Sequence, residues 1–495
     1  MILWAHQYPE WGWLLPMLFG AVGARLAIQM VRNLAPEASG SGIPHLKAVI
    51  LGLRSMRWQR ILPVKFIGGA LAIGAGLGLG REGPTVQMGG AVGEAVSRWF
   101  KVTPRHRQTL IAAGGGAGLA AAFNAPLAGL VFVVEEIQRD FTPHVFGAAF
   151  VAAMTADVIT RSFTGQLPVF HVPAYTPPSL LAMPAFLALG VCAGVLGVAF
   201  NRALLTTLDL YARWGDRLAR FRRWPVQLGG GLVGAAIGLL AWFIPTAVGS
   251  GHVLAEAVLD GSVGLAAIPL WFGIRFGLTM VSYGCGAPGG IFTPLLVLGA
   301  LIGLGAGELT HLLMPQMVYQ PAAFTVVGMA AYFAAIVRAP LTGIVLIVEM
   351  TNSYQQMLAL LVACFSAYLV ADALGDLPIY EVLLDRDLRR SGEMTDLQGT
   401  LTLELIVQAN APFAGKLVKE LGLPPGCIVV TRRQGLHETV PTANTRLEAG
   451  DRLTVVIAPH ANAAVPLLWD GCASAHSPPQ SKTISAPPDA ESMTS

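Results

Sequence analysis

Three short stretches set glycine, proline and a few polar residues inside otherwise apolar sequence: GSGIP (40–44), GREGP (80–84) and GGIFTP (289–294). In each, glycine precedes a proline able to occupy the first turn of a helix, where its missing N–H costs nothing. The exposed N–H groups of such a turn, with the positive end of the helix dipole, face whatever lies ahead. That is anion-binding chemistry. Three such ends converging in a membrane can hold a partly dehydrated anion without a full lysine charge, so binding stays reversible, as conduction requires. Two acidic positions belong with them: Glu82 within GREGP, and the pair Glu135–Glu136 closing the run FNAPLAGLVFVVEE (123–136). A charge at bilayer depth is costly and by default functional. A carboxylate on a helix N-terminus is itself an anion on an anion site. Glu82 can therefore take the anion's place when ionised and leave it when protonated.

Plainer roles compete for each residue. A serine before a helix, as Ser41 is, is ordinarily an N-cap, and Ser250 at the matching place later in the chain is expected to be one. Tyr380, in LPIY, is on its own an interfacial aromatic. A serine-hydrolase reading of Ser41 with His45 lacks a third partner, and an intramembrane hydrolase using Ser41 or Glu135–Glu136 is the remote alternative to transport.

The elements that must position these residues are membrane helices. Of 495 residues 54% are hydrophobic and 12% charged, against about 25% charged in soluble domains, which defines an integral membrane protein. The net charge of +3 is too small to suggest nucleic acid, and the five scattered cysteines form neither a disulfide framework nor a zinc site. No cofactor or metal is expected. Apolar runs long enough to span lie at about 11–34, 184–211, 226–247, 264–283 and 356–373. Shorter, interrupted runs lie at 67–80, 108–123, 126–134, 291–307, 322–337 and 341–350. Broken intramembrane helices mark a transporter or channel core, where irregular backbone lines a cavity.

The chain is a duplication. PEASGSGIPHLKAVILG from Pro36 aligns without gaps on PTAVGSGHVLAEAVLDG from Pro245, an offset of 209 (245 − 36). GREGP falls on GIFTP (290–294) at 210, and FNAPLAGLVFVVEE on VRAPLTGIVLIVEM (337–350) at 214. The halves are expected over about 1–160 and 184–388, as an inverted repeat of the kind secondary transporters use. The counterpart of 184–211 would fall before residue 1, so the first helix of the first half is expected to be missing. Symmetry also sorts the carboxylates. Glu135 matches Glu349 and should serve a shared structural role such as satisfying backbone donors, whereas Glu136 faces Met350 and Glu82 faces Phe292. The two that break the symmetry are the functional candidates.

With these residues assembled, residues 11 to 388 resemble the CLC chloride channel and transporter family, its prokaryotic Cl−/H+ antiporter type. Ser41 in GSGIP, Glu82 in GREGP, the GGIFTP segment and Tyr380 stand in the family's order. The resemblance implies an all-α polytopic fold with an inverted repeat, forming a homodimer with one pore per subunit. It implies a central chloride held by the hydroxyls of Ser41 and Tyr380 and the amides of Ile291 and Phe292, and an outer site at the amides of Arg81, Glu82 and Gly83. It makes Glu82 the external gate and proton acceptor and Glu136, second of the EE pair, the internal proton-transfer residue. Family channels usually carry an apolar residue there, so a chloride/proton antiporter is expected, with a passive chloride channel as the alternative. Serine at position 41 implies chloride preference over nitrate, and the serine–tyrosine combination argues against fluoride.

Beyond Leu384 the composition changes. DRDLRRSGEMTD (385–396) reads as a charged linker whose basic cluster suggests the cytoplasmic side of a cell membrane, here the prokaryotic inner membrane. Residues 400–465 alternate as strands (LTLELIVQA, GCIVVTRRQG, HETV, DRLTVVIAP) around one helix (FAGKLVKELGL), and resemble the TrkA-C domain. That implies a small α+β regulatory module with an unidentified ligand. The Ser/Pro-rich tail 473–495 reads as disordered.

Overall fold

The structure is a computed structural model and describes residues 10–165, 170, 179–220, 227–316, 320–352, 354–391, 401–434, 437–458, 461, 464–472 and 484–485. The chain divides into two compact units, one ending at Leu384 and one beginning at Asp385 and including Leu51–Arg54.

The first unit is helical and follows the duplication. Its first half holds α1 (Leu14–Leu34), α2 (Ile43–Ile50), α3 (Trp58–Gly74), α4 (Glu82–Trp99), α5 (Pro104–Phe123), α6 (Pro126–Phe132) and α7 (Pro143–Thr164). After α8 (Met183–Arg220), the second half repeats the series as α9 (Gln227–Phe243), α10 (His252–Leu259), α11 (Ile268–Gly284), α12 (Phe292–Leu313), α13 (Ala323–Val337), α14 (Pro340–Thr351) and α15 (Met357–Ala373). Helices α2 and α10 have eight residues each, and α3 and α11 seventeen each. A last helix, α16 (Ile379–Ser391), leads out of this unit.

Two equivalent contacts show that a local two-fold relates the halves. Gly80 and Gly290, 210 residues apart (290 − 80), exchange both backbone hydrogen bonds, at 2.7 and 2.8 Å. The carboxylate of Glu135 accepts from the amides of Leu341 (3.0 Å) and Thr342 (2.6 Å). That of Glu349 accepts from Leu127 (3.0 Å) and Ala128 (2.8 Å). Each carboxylate thus caps the helix start opposite it, satisfying amides that have no intrahelical acceptor. The structural role expected of Glu135 is borne out.

Small residues let helices meet backbone to backbone. A Cβ on Gly20 of α1 would lie 2.2 Å from the Gly234 carbonyl of α9, so this crossing requires glycine. Helix α12, buried from Phe292 to Leu304, packs on the wholly buried α13, with Phe292 against the rings of Phe123, Phe132 and Phe333.

Several element expectations need correction. Residues 143–164 form a 22-residue apolar helix with no place among the expected spans. Its two charges near the C-terminal end, Asp157 and Arg161, pair at 2.7 Å one turn apart and cancel. The run expected as short over 291–307 is a 22-residue helix to Leu313, because its glycines serve packing rather than breakage. Helix α3 begins at Trp58, well before 67, and absorbs Pro63 and Lys65. Helix α10 is capped at Gly251, φ +88°, with no side-chain cap, so Ser250 is not its N-cap.

The second unit carries an antiparallel sheet of β1 (Leu401–Ile406), β2 (Cys427–Gln434), β3 (His437–Thr439), β4 (Arg452–Ile457) and β5 (Ile484–Ser485) in the order β3-β2-β4-β1-β5. Leu403, Leu405, Val455 and Ile457 turn inward onto a core closed by α17 (Ala464–Cys472), an element the sequence reading did not include. The helix expected over FAGKLVKELGL reduces to one short turn, Val418–Glu420. Gly415 and Gly422 adopt φ +83° and +65° there, and Gly415, Lys416 and Val418 bond across to Leu447 and Thr445 instead. The charged linker is helical as far as Ser391, and 392–396 lie outside the described residues. So does the tail expected to be disordered, apart from 484–485, which pair with β1.

Candidate functional site

The three glycine–proline breaks meet. Gly40 donates to the Ala287 carbonyl at 3.2 Å and accepts from Gly289 at 3.0 Å, while Gly80 pairs with Gly290. GSGIP and GREGP are thus each laced to GGIFTP just ahead of the helices they start: α2, α4 and α12. Close approach depends on Gly83, where a Cβ would lie 2.8 Å from that of Ser41. The first amides of each helix lack intrahelical acceptors.

Two buried cations hold equivalent loops in the two halves, the GSGIP loop and its repeat counterpart at 247–250, and sequence reasoning missed both. Lys65 of α3 donates to the carbonyls of Ala38 (2.9 Å) and Gly40 (2.6 Å). Arg275 of α11, its equivalent at 210 residues, donates to Ala247 (2.8 Å), Gly249 (2.9 Å) and Ser250 (2.7 Å). Their positive ends engage carbonyls behind each break and turn the amides the other way. A lone basic residue at equivalent places in two apolar helices was the available signal.

Ser41 is 1% exposed, and its hydroxyl oxygen accepts from the Ile43 amide at 3.4 Å. Ser41 stands one residue ahead of the N-cap position of α2, and its hydroxyl proton stays available to an acceptor. Ile291 and Phe292 are fully buried at the start of α12. Arg81 is exposed, its guanidinium 3.3 Å from the Ala122 carbonyl, with its amide at the start of α4. Glu82 is 4% exposed, and its Oε2 has no hydrogen-bond partner. That oxygen fills the space a Cβ on Gly80 would take, 2.2 Å from it, with the Thr293 amide 3.1 Å from the same point. The carboxylate of Glu82 therefore lies beside the first turn of α12. Tyr380, fully buried in the first turn of α16, leaves its hydroxyl unpartnered, as Thr293 leaves its Oγ1. A buried polar group without a partner costs about 1–3 kcal/mol. Orphaned hydroxyls, together with open helix starts, are what a partly dehydrated anion would satisfy.

Glu136 lies elsewhere, in a π turn (Val133–Ile137) that follows α6 rather than in the regular helix expected. Such turns redirect side chains and gather at functional sites. Glu135 faces the α14 start; Glu136 is fully buried and bonds Lys47 of α2 at 2.7 Å. Its Oε2 has no hydrogen bond and lies 3.6 Å from Arg139, which also pairs with Glu381 beside Tyr380. Among the described residues no His/Cys/Asp/Glu cluster could hold a metal ion.

Broken helices from two related halves, presenting amides and hydroxyls around a buried carboxylate, define an ion-transport protein of the membrane. Residues 23–372 match the voltage gated chloride channel family, Voltage_CLC, and the chain belongs to that family. Residues 402–465 match the TrkA-C domain. The chain is 42% identical over 380 residues to the H(+)/Cl(−) exchange transporter ClcA of Vibrio cholerae, covering 76% of this chain and 80% of that one. It is 39% identical over 381 residues to the protein of the same name from Salmonella typhi, with the same coverage. A slow cyanobacterial Cl−/H+ antiporter of known crystal structure matches with a TM-score of 0.74 at 37% identity, over 79% of this chain and 91% of that one. Both resemblances noted in the sequence are borne out.

Proposed function

We propose that this protein is a chloride/proton antiporter of the cell membrane. The observation that carries the reading is the pair of buried carboxylates: Glu82 at the meeting of the helix starts, and Glu136 in the π turn. Chloride is held centrally by the hydroxyls of Ser41 and Tyr380 and the amides of Ile291 and Phe292. An outer position uses the amides of Arg81, Glu82 and Gly83. Ionised Glu82 competes with chloride for the helix starts. Protonated, it loses its attraction to them and swings away carrying the proton. Glu136 receives protons from the inner solution and passes them towards Glu82. The names of the relatives support this reading, and it extends to a homodimer with one pore per subunit in the inner membrane. The TrkA-C unit follows the basic cluster Arg386, Arg389 and Arg390 and is assigned to the cytoplasm, where it binds a regulatory ligand.

Reconstitution of the full chain in liposomes tests it. A chloride gradient should drive uphill proton movement. Chloride flux without proton movement would make the protein a passive channel of the same fold, and no flux would remove transport altogether.

A further inference from the structure

The Lys47–Glu136 contact carries a consequence for rate. Both side chains are sealed from solvent, 7% and 1% exposed, and the ammonium lies 2.7 Å from Oε1. The other charged groups near Glu136 are Arg139, 3.6 Å from Oε2, and Glu381, which pairs with Arg139. Four charges on α2, the π turn and its exit, and α16 thus alternate in sign and sum to zero. Arg139 is half-exposed and Glu381 is more than a third exposed, so that pair is screened by water. The Lys47–Glu136 pair is not. Burying both charges is repaid only while each keeps the other.

We infer that Lys47 is a positioning residue whose ammonium fixes the carboxylate of Glu136 and makes its loading with a proton the slow step of exchange. The inference rests on the reading of Glu136 as the inner proton acceptor. Each proton placed on Glu136 neutralises the partner of a buried ammonium and leaves that ammonium alone in a dry site. The incoming proton forms an O–H bond at the free Oε2, Lys47 keeps its own protons and its contact with Oε1, and what is lost is the negative charge that balanced the ammonium. The cost of stranding the ammonium recurs in every cycle that moves a proton. It is absent from cycles that move only anions, because Lys47 holds no group of the proposed anion site.

The test compares coupled exchange by full-length protein in liposomes, per folded transporter. Lys47→Met keeps the stem and removes the charge; it should raise coupled turnover by about tenfold or more, with protons per anion unchanged. Lys47→Arg restores the charge and should return turnover towards the parent rate. In a Glu136→Gln background, which moves anions alone, Lys47→Met should change nothing. Coupled turnover unchanged or lowered in Lys47→Met overturns the inference, as does an equal acceleration in the Glu136→Gln background. If Lys47→Met does not fold, Lys47→Gln carries the same expectation. Failure of the underlying reading looks different: Glu136→Gln alone would then still drive protons uphill.

Discussion

Glu135 and Glu349 are each other's counterpart, and each caps a helix in the half to which it does not belong. Glu135 closes the start of α14, and Glu349 closes the start of α6, the helix whose continuation carries Glu136. The duplication is thereby fastened next to the turn that carries Glu136, the proposed inner proton acceptor. Adjacent carboxylates in one π turn divide their tasks by direction.

That division predicts separable phenotypes. Glu135→Gln keeps one acceptor oxygen but loses the charge that three donors share: the amides of Leu341 and Thr342 and the Thr342 hydroxyl. Hydrogen bonds to a charged group contribute about 1.5–3 kcal/mol each. The variant should lose at least about 2 kcal/mol of stability, seen as lower yield and a lower melting temperature in detergent. Protein that survives should keep its proton-to-anion ratio. Glu349→Gln should behave alike, and a changed ratio in either would tie the cap to coupling.

The buried cations make a second symmetric pair. Lys65→Met would leave the Ala38 carbonyl without its side-chain donor and Gly40 with only the amide of Gly289. The GSG loop should loosen, so chloride binding by calorimetry should weaken about tenfold or more, alongside a stability loss of about 1–3 kcal/mol. Arg275→Met, behind the break in the other half, should destabilise similarly yet weaken chloride binding less, because α10 carries no proposed anion ligand. Equal loss of binding in both would mean that the cations act only on the fold.

Much of this was legible in sequence because broken helices need residues that nothing else needs. GSGIP, GREGP and GGIFTP announced helix starts, and the matches of GSGIP to GSGHV (249–253) at 209 residues and of GREGP to GIFTP at 210 announced the duplication. The role of Glu135 followed from its match with Glu349. What stayed hidden depended on three-dimensional cancellation. Helix α7 was not among the expected spans; it carries Asp157 and Arg161, whose pairing one turn apart only the structure shows. Lys65, just ahead of the run expected from 67, sits fully buried on two carbonyls that only the fold brings to it. The π turn has no sequence signature, and Lys47 meets Glu136 from 89 residues away.

Anion choice turns on Ser41. Its oxygen accepts from Ile43, leaving its proton for a spherical anion. Chloride should be coupled more tightly than nitrate in the parent protein. Ser41→Pro removes the hydroxyl donor and should move preference towards nitrate. Proton-coupled flux measured with each anion decides this, and nitrate coupled as tightly as chloride in the parent would sink it.

The last prediction separates the two unmatched glutamates. Glu136 has no place in the proposed anion site, so Glu136→Gln should abolish proton movement while chloride still passes. Glu82 lies beside the first turn of α12, and in the proposed mechanism its charge competes with the anion there and its protonation relieves the competition. Glu82→Gln can neither carry a proton nor compete as an anion. Proton transport and the pH dependence of chloride flux should therefore vanish together, because the neutral amide presents the same face to chloride at every pH. In Glu136→Gln the carboxylate of Glu82 remains, so chloride flux should still change with external pH. Measuring both fluxes against external pH in the two variants distinguishes them. Uphill proton movement surviving in Glu136→Gln would remove the inner half of the route, and a chloride flux still sensitive to pH in Glu82→Gln would remove the outer half.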